Sequence, residues 1–358
     1  MSAASRVIRP EIQAMHAYPV ADATGMVKLD VMESPYGLPP ELAAEVGRIV
    51  AGLSLNRYPV PTAHRLRALI REVMQVPAGC DVLLGNGSDE CIQYITAAVA
   101  REGAVVMAPT PSFAMFSIYP LFYRVRFVAV PLRADFTLDA EAFLAAMARE
   151  RPALVWVAFP NNPTGNAFPA ADIERILRAA PGLVVIDEAY QPFAGATFMP
   201  RLAEFENLAV LRTVSKIGMA GLRLGYVCAR PEWIEAFNKT RSPFNVNVVT
   251  EAVAIKLLEN KPVLDAQAAK VLAERERMRP LLEALPGLTV YPTAANFFLV
   301  RVEGGEGAAA RVFERLKQQG VLVKDFPGHP QLGRHLRVTV GTPEENRILL
   351  TALREALA

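Results

Sequence analysis

From residue 81 onward the chain alternates short apolar runs with stretches of helix length. The runs are VLL, AVVMAP, RFVAVP, ALVWVAF, LVVID, LAVLRTV and LGYVCA. They carry no alternating polar face, so they read as strands buried on both sides, and helix-length connections let successive strands run parallel. The pattern predicts an α/β core over residues 56–250, a largely parallel sheet with helices on both faces. Ahead of it, 41–51 is helical in pattern. The prolines of NRYPVP (56–61) break that helix before a second, amphipathic one over 62–74, with Thr62 placed as its cap. Behind the core come two long helical stretches, 248–259 and 263–285, the second expected to kink or break at Pro280. The tail returns to strand-like runs, LTVYP, NFFLVRV and GVLVKDF, mixed with helices over 308–319 and 343–357. It predicts a smaller α+β unit. The expected division is an N-terminal arm with part of the small unit over 1–55, a large unit over 56–250 and a small unit over 251–358.

One stretch changes that picture if misread. Residues 103–123 run 21 positions without a charge, long enough to span a bilayer. Pro109, Pro111 and Pro120, with Thr110, Ser112 and Ser117, speak for a strand, a loop and a short helix instead. A hydrophobic content of 52%, a charged content of 21% and a net charge of +2 over 358 residues describe a globular protein without a nucleic-acid or acidic-membrane signal. Small-molecule chemistry is what remains. Cys80, Cys91 and Cys228 are widely spaced and lack metal-site context, so neither a disulfide framework nor a zinc site is expected. The first residues show no apolar stretch of signal-peptide length, and the expectation is a cytoplasmic protein.

Candidate chemistry gathers where the predicted strands end. In LRTVSKIGMAGLRLGY (211–226), Ser215, Lys216 and Gly218 interrupt an apolar run at what would be the carboxyl edge of the sheet, where open parallel sheets bind ligands. A lysine there, with Arg223 seven positions on, suits an amine that loses its proton to attack a carbonyl, although a loop lysine is the plainer reading. GNGSDE (85–90) joins a strand to a helix and can cradle a phosphate or merely reverse the chain. Phe113 can stack on a flat ring or pack in the core. The asparagines of FPNNPTG (159–165) can hold a ring oxygen or only shape the turn. Asp187 ends a buried run, where a charge needs a cation such as a protonated pyridine nitrogen; a helix cap or a nearby arginine would also serve. Tyr190, three residues on, is either a hydrogen-bond donor to a ring oxygen or a buried structural tyrosine.

Taken together, ESPYGLP, LNRYP, GNGSDE, FPNNPTG, VVIDEAY, TVSKIGMAGLRLGY and LRVTVGTPEEN occur in an order that resembles the fold-type-I pyridoxal-phosphate aminotransferases over nearly the whole chain. Within them the resemblance is to the branch that acts on histidinol phosphate. It implies a large domain with a mostly parallel sheet, a smaller α+β domain, and pyridoxal 5'-phosphate as cofactor. It implies that Lys216 carries the cofactor and shuttles the proton, that Asp187 holds the pyridine nitrogen, and that Asn162 and Tyr190 hold the ring oxygen. Phe113 would stack on the ring. The amides of Ser88 and Asp89, with Ser215 and Arg223, would bind the cofactor phosphate, joined by Tyr58 from the neighbouring subunit of a homodimer.

For the substrate, the resemblance implies that Arg337 holds the anionic end, with Lys324 and Tyr18 meeting the substrate phosphate. The same site would receive the carboxylate of glutamate in the second half-reaction of a transamination that serves histidine biosynthesis. An enzyme acting on aromatic amino acids, or a phosphothreonine decarboxylase, could be built on this site, as could a non-catalytic regulator that keeps the fold. Three departures bear on the substrate: ESPYG puts Ser34 where relatives have asparagine, the segment from Lys216 to Arg223 is one residue short, and Lys324 stands for an arginine. A lysine cannot grip a phosphate bidentately.

Overall fold

The computed structural model describes residues 3–17 and 19–358. Seven strands form the large sheet: β1 (Asp81–Asn86), β2 (Val105–Thr110), β3 (Arg126–Pro131), β4 (Leu154–Ala158), β5 (Leu183–Asp187), β6 (Leu208–Thr213) and β7 (Leu224–Ala229). Their order across the sheet is β1-β7-β6-β5-β4-β2-β3. The pairs from β6 through β3 are parallel, whereas β7 runs antiparallel to both β6 and β1. The apolar run LGYVCA continues the alternation that predicts a largely parallel sheet; its direction is the one departure in an otherwise parallel sheet.

That reversal has a consequence for the site. Ala158 pairs with Asp187, Asp187 with Leu211, Thr213 with Gly225 and Leu224 with Asn86. The carboxyl ends of β1, β4, β5 and β6 therefore share an edge with the amino end of β7, so Arg223, just before β7, arrives beside the loop after β1. Both faces of the sheet are covered. Leu84, Val155, Val157, Val184 and Val210 pack on one side, and Leu83, Trp156, Val185 and Leu211 on the other.

A second sheet of β8 (Leu288–Val290), β9 (Phe297–Val302), β10 (Lys324–Asp325) and β11 (His335–Thr339) is wholly antiparallel, in the order β10-β11-β9-β8. Phe298, Val300, Leu336 and Val338 pack there against Leu349 and Leu353 of helix Pro343–Leu357, which opens on a Thr342–Glu345 capping box. Residues Val27–Lys28 pair with Val321–Leu322, and Leu29 and Met32 join the same cluster, so the N-terminal segment is bound into the small unit. Helix Pro40–Ala51 instead sends Leu42 into the large unit's core, as helix Val248–Glu259 sends Val253, Ala254, Leu257 and Leu258. We propose that the division between the units falls at Asn260, where Val248–Glu259 gives way to the helix Lys261–Glu283.

Two local expectations are corrected. The helix expected from Thr62 begins at His64, with Ala63 at its N-cap in a left-handed conformation (φ 41°). Helix Lys261–Glu283 is not broken at Pro280. Pro280 and Glu276 are both exposed, so water can take the Glu276 carbonyl that the missing N–H leaves over. The uncharged stretch 103–123 folds as β2 and the short helix Met115–Phe122. Among the described residues no helix is long and apolar enough to cross a membrane.

Candidate active site

The turn after β6 is fixed by its own hydroxyls. Thr213 Oγ1 accepts from the Ser215 backbone N–H (3.2 Å), lies 2.8 Å from Ser215 Oγ and donates to the Leu224 carbonyl. The next side chain, Lys216, enters a cavity of about 440 Å³ at the shared sheet edge. Its Nζ donates to the carbonyl of Val31 at 3.0 Å and lies 5.8 Å from the centre of the Tyr190 ring. Burial, then the charges of Arg337 and Arg223, push the amine down from its usual 10.5 to about 8, with Glu33 working in the opposite direction.

Asp187 ends β5 in the same cavity, with the Ala189 N–H donating to its Oδ1 at 3.0 Å. Burial raises the carboxyl to about 7, and the charges of Asp89 and Glu188 add to the effect. No lysine or arginine lies within ion-pair distance among the described residues. The adjacent Glu188 differs: its Oε2 accepts from Arg212 Nη2 (2.8 Å) and Nε (2.9 Å) in a buried pair, and Thr197 and the Phe198 N–H close the network. One of two neighbouring acids is thus neutralised by the fold, while the other faces the cavity and lacks a cation. A protonated pyridine nitrogen would supply it.

At the far side, β1 runs through Gly87 (φ 79°) into helix Gly87–Val99. A Cβ on Gly87 would lie 2.5 Å from Arg223 Nη2, and one on Gly225 would lie 2.3 Å from the Ser88 backbone N. The glycines let the helix start, β7 and Arg223 close up into a cradle. Arg223 Nη2 stands 3.4 Å from Asp89 Oδ2, and burial raises Asp89 while Arg223 lowers it. Ser88, Ser215 and Phe113 line the same space, the Phe113 ring set edge-on to Phe116. Buried carboxyl, lysine and cradle together fit an anionic pyridine cofactor.

The two asparagines of FPNNPTG divide their work. Asn161 shapes the turn, donating to the Pro111 carbonyl and to Thr164 and accepting from Ser112. Asn162 faces the cavity, donates to the Tyr190 hydroxyl (3.1 Å) and accepts from Arg337 Nη1 (2.6 Å). Arg337 also donates to the Asp30 carbonyl (2.7 Å) and is buried. Lys324 lies directly opposite it across β10 and β11, on the same face of the small sheet.

Lys216, Asp187, Ser88, Asp89, Phe113, Asn162, Tyr190, Ser215 and Arg223 thus line one cavity. Tyr58 is not brought to it in this chain; it is 82% exposed and stacks on Phe244. Tyr18 lies outside the described residues. Lys324 and Arg337 do not line the cavity, Arg337 reaching it through Asn162. Sequence reasoning missed Val31, Glu33 and Thr213 at the wall and the Glu188–Arg212 pair behind it. A second acid next to Asp187 was the one available signal.

Residues 24–353 match the family model described as aminotransferase class I and II. The chain is 55% identical over 358 residues to histidinol-phosphate aminotransferase 1 of Ralstonia nicotianae, covering 98% of this chain and 95% of the relative. It is equally identical to histidinol-phosphate aminotransferase 2 of Cupriavidus pinatubonensis, over 98% and 97% of the two chains. In structure it is similar to the histidinol-phosphate aminotransferase of Sinorhizobium meliloti in complex with pyridoxal-5'-phosphate, with a TM-score of 0.87, 27% identity and 98% and 97% of the chains covered. With the family model spanning most of its length and relatives above half identity end to end, the chain belongs to the aminotransferase class I and II family.

Proposed function

We propose that this chain transfers an amino group between L-glutamate and imidazole-acetol phosphate, giving L-histidinol phosphate and 2-oxoglutarate in histidine biosynthesis. The observation that carries the reading is the facing of Lys216 and Asp187 across one cavity, with Arg223 in its wall and Arg337 tied to Asn162. Relatives that are histidinol-phosphate aminotransferases, at 55% identity over nearly the full length, support the substrate.

Pyridoxal phosphate is the cofactor, and when bound it supplies an aldehyde carbon that takes up amines and a protonated ring that draws electrons from the substrate's α-carbon. Lys216, lowered to about 8, would be roughly one-tenth neutral at pH 7, far more than an ordinary lysine, so its Nζ would be the group to hold the cofactor and to take up the proton from the α-carbon. Asp187 keeps the pyridine nitrogen protonated by pairing with it. Asn162 and Tyr190 hold the ring oxygen, and Phe113 covers the ring. Ser88, Asp89, Ser215 and Arg223 hold the cofactor phosphate, with Tyr58 supplied by the second subunit of a homodimer. Arg337 takes the anionic end of either substrate, and Lys324 and Tyr18 meet the substrate phosphate, since charge-assisted contacts are the stronger kind. We place the enzyme in the cytoplasm, with small molecules and its own second copy as partners.

A steady-state panel tests this. Histidinol phosphate with 2-oxoglutarate is expected to turn over well ahead of phenylalanine; turnover of phenylalanine without histidinol phosphate would show the substrate to be wrong.

A further inference from the structure

Residues 29–32 cross from the small unit to the wall of the cavity, and their main chain is held at each step by a side chain or strand of another element. The Leu29 carbonyl accepts from the Thr339 N–H (3.0 Å), the Asp30 carbonyl from Arg337 (2.7 Å), the Val31 carbonyl from Lys216 (3.0 Å) and the Met32 carbonyl from Asn296 Nδ2 (3.0 Å). The Met32 N–H donates to Thr339 Oγ1 at 3.1 Å.

Met32 has φ 57° and is buried. A bulky residue in the left-handed region costs free energy and persists where its surroundings over-determine it. Here the two groups that flank the turn, its N–H and its C=O, are taken by Thr339 and Asn296, which are 2% and 1% exposed. The turn sends successive carbonyls to different partners, Val31 toward the cavity and Met32 toward the small unit. Neither Thr339 nor Asn296 lines the cavity.

We infer that Thr339 and Asn296 are positioning residues: by holding the left-handed turn at Met32 they aim the Val31 carbonyl at the amine of Lys216 and the Asp30 carbonyl at Arg337. A neutral amine has two N–H bonds and one lone pair. With one N–H fixed on Val31, the lone pair is confined to the directions that remain, instead of sweeping the whole cavity, whenever the lysine is not joined to a carbonyl carbon. The inference rests on the proposed function only in taking Lys216 as the point where pyridoxal phosphate attaches.

The test follows capture of pyridoxal phosphate by the full-length chain, freed of cofactor, through the absorbance of the lysine-bound form across a pH series. The groups facing Lys216 are Glu33 beside the turn, Asp89 at the helix start, Asp187 on β5, Arg223 before β7 and Arg337 on β11; none is altered. Thr339→Val keeps the shape and removes the hydroxyl. It should slow capture roughly fivefold, the scale of one lost hydrogen bond, and move the pH midpoint downward by about half a unit, because a carbonyl dipole favours the ammonium form. Thr339→Ser should restore both, and Asn296→Ala should slow capture in the same manner. In the loaded enzyme, Thr339→Val should raise KM for glutamate more than it lowers kcat. Wild-type capture rate and midpoint in Thr339→Val or Asn296→Ala, whatever the melting temperature, would overturn the inference, as would failure of Thr339→Ser to restore them. If Thr339→Val does not fold, Asn296→Ala decides alone. No capture by the wild type would instead remove the assignment of Lys216, and this inference with it.

Discussion

Arg337 Nη1 donates to Asn162 Oδ1 at 2.6 Å, although the two residues are 175 positions apart, the one on β11 of the small sheet and the other in the turn that follows β4 of the large sheet. Asn162 in turn donates to Tyr190. A substrate anion at Arg337 and a ring oxygen between Asn162 and Tyr190 would therefore share one hydrogen-bonded chain. Arg337→Lys replaces a guanidinium that donates to Asn162 and to the Asp30 carbonyl at once with a single ammonium, which cannot grip a carboxylate bidentately. It should raise KM for glutamate by about one order of magnitude or more, with a smaller loss in kcat, in steady-state kinetics.

Lys216→Ala should fold, since the amine it removes donates to one main-chain carbonyl, that of Val31. Removing the proton-carrying amine should cost about 10²–10⁴ in rate or more. Circular dichroism and a single-turnover assay check the two halves; full activity would end the role given to Lys216.

The pH dependence of cofactor capture should report the lowered lysine. Reaction with an aldehyde needs the neutral amine, and with Lys216 at about 8 the rate should rise through that pH and level off above it. An unperturbed lysine would still be gaining at about pH 10. The same shift affects stability. Unfolded, the lysine binds a proton up to a higher pH than it does folded, so stability of the cofactor-free chain rises with pH between about 8 and 10.

Asp187 gives the opposite sign. In the cofactor-free chain the folded carboxyl keeps its proton up to about 7, whereas the unfolded one releases it near 3.8. Folding then takes up a proton, and stability falls as pH rises through that window. Asp187→Asn removes the effect, so the cofactor-free variant should be more stable than wild type at pH 8, by at most a few kcal/mol, and equal to it near pH 4. Denaturant titrations at both pH values check this. The variant should bind cofactor and lose most of its turnover.

Glu188→Gln leaves Arg212 buried without its counter-charge. The expected loss is about 3–5 kcal/mol of stability, read by the same titrations, without a change in which lysine the cofactor modifies.

The positions legible in the sequence are those where chemistry interrupts packing. Lys216 and Asp187 stood out because each charge ends an apolar run, and GNGSDE because glycines precede a helix. The strands of the large sheet and the helix Pro343–Leu357 followed from periodicity, whereas β11 of the small sheet was not among the runs read as strands and the Thr342–Glu345 capping box was not read at all. The direction of β7 did not follow, because LGYVCA is apolar throughout and a fully buried strand reads alike either way. Nor does periodicity tell which sheet Val248–Glu259 packs on. Val31 was invisible for another reason: its part is played by a main-chain carbonyl, which every residue has. The Arg337–Asn162 contact depends on how two units pack, which no local pattern encodes.

The central claim is covalent attachment at one lysine beside one buried carboxyl, and borohydride reduction of the protein incubated with pyridoxal phosphate, followed by peptide mapping, tests it most directly. The account predicts a single modified peptide carrying Lys216, absent in Lys216→Ala. No adduct, or an adduct confined to another lysine, would contradict it.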